Sequence, residues 1–194
     1  MVHLEDGGSL FVEESGVGPL VLLLHGFGHD RRVWSRVLPL LDGEFRVAAC
    51  DLRGFGRSSD PPAGGSTPTE DLAALLDELA PAGPGVVAGF SLGALFSGGA
   101  RCGLDLAARF PQKVSAAVLA GPYPGFAKLS AETQQPLREI ARAAREEGVE
   151  AARHLWLRHP LLALRRPDPE AAGLLAQMTA GYSGLHWLRR DRGA

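Results

Sequence analysis

Cysteine is nearly absent: Cys50 and Cys102 are the only two in 194 residues, too few for a disulfide framework. Each reads as a small buried side chain in the reduced state. A surplus of either charge is also missing. With 20 Lys and Arg against 22 Asp and Glu, the net charge is −2, so neither a nucleic acid nor an acidic membrane surface is the expected partner. A small-molecule substrate fits better. No apolar run reaches the length that spans a bilayer. Residues 1–9 carry Glu5, Asp6 and two glycines, with no basic start and no apolar stretch. A signal peptide is therefore not expected, and the expected location is cytoplasmic. Internal repeats and low-complexity tracts are lacking as well.

What is present is an alternation of short apolar runs with helical patterns, the signature of an α/β protein with a mostly parallel sheet flanked by helices. Leu20 to Leu24, Val47 to Cys50, Val86 to Ala88 and Val114 to Ala120 are nearly continuous in apolar character, as strands buried on both faces are. Leu4 and Leu10 to Glu13 flank the Asp6-Gly7-Gly8 turn and predict a hairpin. Val33, Trp34, Val37, Leu38 and Leu41 recur at helical spacing, predicting a helix after Asp30. Thr67-Pro68-Thr69-Glu70 is a capping box with proline at the first helical position. It opens a helix whose Leu72, Leu75, Leu76 and Leu79 face the sheet. From about Leu129 the chain turns helical and rich in alanine and arginine, with starts at Ser130 and Asp168 and breaks at Gly148, Pro160 and Pro167. The expected division is a body over 1–126 and a helical cap over 127–194.

The chemistry falls at the carboxyl ends of strands, where open parallel sheets bind ligands. Val86-Val87-Ala88-Gly89-Phe90-Ser91-Leu92-Gly93 is a buried strand running into GxSxG and then a helix. Gly89 and Gly93 let the backbone turn sharply enough to expose the Ser91 hydroxyl as a nucleophile. Leu22-Leu23-Leu24-His25-Gly26-Phe27-Gly28 is a second strand entering a glycine turn. Acyl transfer needs two backbone N–H groups on the developing oxyanion, one after the nucleophile and one from an earlier loop. Leu92 and Phe27 fit those positions, and His25 with Gly26 forms the supporting loop, His25 bracing it through its ring nitrogens. Asp51-Leu52-Arg53-Gly54-Phe55-Gly56-Arg57-Ser58 reads as a tight turn held by local ion pairs. Asp51 precedes the serine, an order that argues against its being the acid of a triad.

With these three motifs in order, the chain resembles the α/β-hydrolase superfamily, specifically its serine-nucleophile, capped, esterase-like members. The HGxx pattern is met by His25 to Gly28, DxRGxGxS by Asp51 to Ser58, and GxSxG by Gly89 to Gly93. The resemblance covers roughly residues 4–194. It implies hydrolysis of a carboxylic ester or related carbonyl compound, with no metal and no cofactor. Ser91 stands where haloalkane dehalogenases and epoxide hydrolases carry a carboxylate, so their chemistry is not implied.

Two departures from that pattern stand out. The family's acid follows its sixth or seventh strand and its histidine the eighth, yet Gly121-Pro122-Tyr123-Pro124 holds no acid and no later strand can be read. Two more strands with helices would take roughly 50 to 80 residues. The chain thus looks like the first two thirds of a hydrolase body, lacking its last strands. His29, His154, His159 and His186 remain as alternative bases, with His186 better read as cap packing or pocket lining. The second departure is Ala94 to Cys102, about six residues more than the helix needs, which is not a whole number of turns. A break is expected near Gly98 and Gly99. An open edge on the sixth strand would favour self-association. The alternative functions are a non-catalytic small-molecule binding module and an inactive hydrolase fragment.

Overall fold

The computed structural model describes residues 1–62, 65–91, 99–121, 130–164 and 166–189. The chain divides into two compact units, Met1–Gly125 and Phe126–Ala194. The first holds a six-stranded sheet. Its strands are β1 (Val2–His3), β2 (Ser9–Ser15), β3 (Leu20–Leu24), β4 (Arg46–Asp51), β5 (Gly85–Phe90) and β6 (Val114–Ala120), in the order β1-β2-β4-β3-β5-β6. β1 and β2 form the antiparallel hairpin, closed by Leu4 N–H to Gly8 O, and β2 pairs antiparallel with β4. The remaining pairs, β3 with β4, β3 with β5 and β5 with β6, are parallel.

Alternation along the strands sorts side chains onto two faces. Val21, Leu23, Val47 and Ala49 form a buried cluster on one face, covered by Trp34, Leu38, Leu41 and Phe45. The predicted helix after Asp30 is instead a 3₁₀ turn at Arg31–Trp34 followed by the single-turn α1 (Leu38–Leu41). Pro39 accounts for the interruption: inside a longer helix its ring would clash with the carbonyl of Ser35, whereas near the start of α1 it is tolerated. The apolar residues still reach the sheet, because burial needs only their spacing. α2 (Pro68–Leu79) opens with the capping box formed in full, Thr67 and Glu70 capping each other's backbone, and buries Leu72, Leu75, Leu76 and Leu79.

α3 is described over Gly99–Arg109 and packs on β5 and β6, with Cys102 and Leu106 buried. Gly99 already belongs to this helix, and Gly98, the other residue of the expected break, lies outside the described residues. β6 corrects an expectation. Its apolar run predicts burial on both faces, yet Ser115 to Val118 and Ala120 are exposed. Among the described residues the strand lies at the edge of the sheet, and α3 meets it at Leu119, beside Gly103. Cys50 and Cys102 are both buried, and they are not joined in a disulfide.

The second unit is helical: α4 (Ala131–Glu146), α5 (Val149–Leu157), α6 (Pro169–Gly181) and α7 (Leu185–Leu188). α4 packs against α5 and α7, and α5 against α6. Its core gathers around Trp187, 1% exposed, with the Tyr182 and Trp156 rings edge-on to it at 4.9 and 6.3 Å. Asp168 caps α6 through Ala171 N–H. Among the described residues, no helix is long and apolar enough to cross a membrane.

Candidate active site

The turn after β5 carries an unusual backbone. Ser91 has φ +126°, the one positive value outside glycine among the described residues. Such a conformation costs a side-chain-bearing residue about 1–3 kcal/mol and persists only where its surroundings impose it. Two neighbours do so here. Ser91 N–H donates to Ala120 O at 3.0 Å, tying the turn to the end of β6. Opposite, Gly26 lies so close that a Cβ on it would sit 2.9 Å from Ser91 Cβ and 3.3 Å from Ser91 Oγ. Only glycine lets the loop after β3 meet the serine in this way. The Phe90 ring is held edge-on by His29 at 5.5 Å and Trp34 at 5.4 Å.

The histidine of that loop is committed on both sides. Leu52 N–H donates to His25 Nε2 at 3.0 Å, which leaves the proton on Nδ1 to donate to Gly26 O at 2.8 Å. No peptide bond in the described residues is cis. The Gly26 carbonyl and the Phe27 N–H therefore point to opposite sides of one rigid plane, and His25 sets the direction of both. His29 Nδ1 lies 2.9 Å from Phe27 O and fixes the next peptide plane. His25 is buried and packs edge-on against Phe55 at 5.3 Å.

Burial pushes the His25 and His29 imidazoles from the usual 6.5 down to about 4. Each is thus neutral when folded but protonated when unfolded between those values, so the unfolded chain binds more protons there. The stability tied to them is complete above about pH 6.5 and is lost as pH falls through about 4, with His25 alone worth on the order of 3 kcal/mol. Two carboxyls lose theirs lower: Asp6, held by Arg53, and Glu70, held by the Thr67 backbone, titrate at about 2. Urea unfolding across pH 7 to 4 is expected to show this decline. A flat profile in that window would contradict it.

Asp51 is buried and accepts from Arg31 N–H at 2.7 Å, Arg57 N–H at 2.8 Å and the Arg31 guanidinium at 3.1 Å. No histidine is among these partners, and the carboxylate holds the turn after β4. Gly56, at φ +55°, passes so near it that a Cβ would reach 2.2 Å from Asp51 Oδ2. The three other candidate histidines belong to the second unit. His154 is exposed beside Glu150, His159 accepts Leu161 N–H, and His186 bonds the Tyr182 hydroxyl at 2.8 Å. Among the described residues, no group of His, Cys, Asp and Glu could hold a metal ion.

The structure thus brings Ser91 against Gly26, in the loop that also carries His25 and Phe27, while Leu92 lies outside the described residues. Sequence reasoning missed the Ala120 carbonyl behind Ser91 and the clamp of His29 and Trp34 on Phe90. Neither leaves a local signal, since both are made across strands.

Residues 21–193 match the family model described as "Alpha/beta hydrolase family". Among curated proteins, a pimeloyl-[acyl-carrier protein] methyl ester esterase from Vibrio campbellii is 30% identical over 186 residues, covering 86% of this chain and 68% of that protein. A fluoroacetate dehalogenase from Burkholderia sp is 54% identical over 46 residues, 24% of this chain and 15% of that protein. Among solved structures, a thermophilic esterase from Thermogutta terrifontis superimposes with a TM-score of 0.73 at 28% identity, covering 96% of this chain and 68% of that one. The chain therefore spans at most about two thirds of these proteins' lengths.

Proposed function

The chain belongs to the alpha/beta hydrolase family, and from that membership we propose that it is a serine hydrolase acting on a carboxylic ester or related carbonyl compound. The observation that carries this reading is the positive φ of Ser91 at the end of β5, with its hydroxyl beside Gly26. Ser91 Oγ attacks the carbonyl carbon, and the N–H groups of Phe27 and Leu92 receive the charge that develops on the carbonyl oxygen. His25 holds the Phe27 peptide plane and takes no proton, because both its ring nitrogens are occupied. Among the described residues, no side chain hydrogen-bonds Ser91 Oγ, so the histidine and acid that activate the serine are assigned outside them.

A second reading is a binding module that keeps the hydrolase pocket without turnover. A fluorophosphonate probe followed by peptide mapping separates the two. Stoichiometric labelling of Ser91, lost in Ser91→Ala, is the expected result. An unlabelled chain that still binds an ester analogue tightly would assign it to the binding class.

A further inference from the structure

Two Gly-Phe-Gly tripeptides follow the paired strands β3 and β4: Gly26-Phe27-Gly28 and Gly54-Phe55-Gly56. In the first, Gly28 at φ +72° closes a turn in which His29 N–H donates to Gly26 O at 3.3 Å. Such a turn fixes its own shape, but glycines on both sides leave the Phe27 ring as its only side chain for attachment to the sheet. That ring turns inward, for Phe27 is 6% exposed. It meets the Phe55 ring edge-on, with centroids 5.6 Å apart and planes at 85°. His25, just before the turn, meets the same Phe55 ring at 5.3 Å and 77°. Phe55 is 2% exposed and thus touches both side chains that anchor the loop after β3.

Phe55 is itself firmly held. Its N–H donates to Leu52 O at 3.0 Å, and its carbonyl accepts Ser58 N–H at 3.2 Å. Asp51 grips the two ends of the arrangement through the N–H groups of Arg31 and Arg57, and Leu52 N–H of the same turn donates to His25 Nε2. We propose that Phe55 is a positioning residue of the acyl-transfer site, setting through the Phe27 and His25 rings where the Phe27 N–H stands relative to Ser91. The proposal rests on the serine hydrolase reading, with Phe27 as an oxyanion donor. The physical basis is the ring quadrupole: an aromatic edge seeks an aromatic face, which fixes an angle as well as a distance. An aliphatic side chain fills the same space without preferring an angle. The turn after β4, which carries no reacting group, in this way takes part in the chemistry.

Labelling of Ser91 by a fluorophosphonate gives a saturating rate and a half-saturating concentration, which separate positioning from binding. Phe55→Leu is expected to slow the saturating rate about 10-fold, part of the roughly 100-fold that a displacement near 1 Å costs, with the half-saturating concentration unchanged. Because Phe55 acts through Phe27, the double variant Phe27→Leu/Phe55→Leu should be no slower than the slower single variant. Leu79→Ala is the control for lost packing. Leu79 is buried at the end of α2, and its carbonyl accepts from Arg46, at the opposite end of β4 from the Phe55 turn. This variant should melt earlier and label at the wild-type rate. Exchange of the His29 and Leu52 amides reads the displacement without any labelling: relative to the Leu23 amide in β3, Phe55→Leu should speed both about 10-fold through local opening, and Leu79→Ala should not. A wild-type chain that is not labelled removes the serine hydrolase reading, and exchange then decides the proposal alone. The proposal is overturned if Phe55→Leu labels at the wild-type rate, if the two single losses multiply in the double variant, or if exchange in Phe55→Leu matches that in Leu79→Ala. Should Phe55→Leu not fold, Phe55→Met, whose flexible side chain fills irregular space, takes its place in both measurements.

Discussion

Arg53→Met is expected to lower the unfolding free energy by about 3–5 kcal/mol, the scale for removing one partner of a buried ion pair. The guanidinium is 2% exposed and joins three segments of the chain. Its Nη2 donates to Asp6 in the β1–β2 turn at 2.7 Å and to Asp71 in α2 at 3.1 Å, and its Nε lies 2.8 Å from the other Asp71 oxygen. Ser66 bonds both carboxylates. Burial already raises the Asp71 carboxyl above its usual range, against the pull of Ser66 and Arg53. Without the guanidinium that carboxylate would be stranded, whereas Asp6, 22% exposed, can turn to water. The double variant Arg53→Met/Asp71→Leu should therefore cost less than Arg53→Met alone, because it removes both buried charges together. A double-mutant cycle by urea unfolding measures this. A single-variant loss below about 1 kcal/mol would show that the cluster is solvated and not structural.

That cluster marks where reading the sequence stops. Elements were legible because their signals are local: the Thr67 capping box forms as written, and the continuous apolar run Leu20 to Leu24 is a wholly buried strand. The strand leading to Ser91 was legible as well, since Val86 to Ala88 form one apolar run. Arg53 and Asp51 were visible as charges in a glycine turn, but their partners Asp6, Asp71 and Arg31 are brought in by the fold from distant positions. β6 misled for a physical reason. An apolar run records that a strand is suited to burial, and whether anything covers it depends on neighbours that its own residues do not encode. Similarly, the helix spacing from Val33 to Leu41 correctly identified a sheet-facing stripe, yet Pro39 divided it into two short turns.

Gly26→Ala is expected to reduce the rate of Ser91 labelling by about 100-fold or more, the loss that a displacement near 1 Å produces at a reacting group. The added methyl would lie 2.9 Å from Phe90 Cε2 and 2.9 Å from Ser91 Cβ, closer than packed carbons approach. Neither neighbour can yield freely. Phe90 is held between His29 and Trp34, and Ser91 occupies a strained backbone fastened to Ala120. The loop must therefore move, carrying the Phe27 N–H away from the oxyanion while stretching the bond from His25 to Gly26 O. Overpacking of this kind costs about 1–3 kcal/mol of stability, so the variant should fold while losing reactivity. Gly83→Ala is the matched control: it has open space around the new methyl and should leave both properties unchanged. Labelling rates and melting temperatures of the three proteins, taken together, separate displacement of the site from general destabilisation. The stability difference between the two variants tests the contact even where labelling is slow. Wild-type labelling and melting in Gly26→Ala would mean that the loop and the elbow do not touch in solution, removing the geometric basis for placing Phe27 in the oxyanion site.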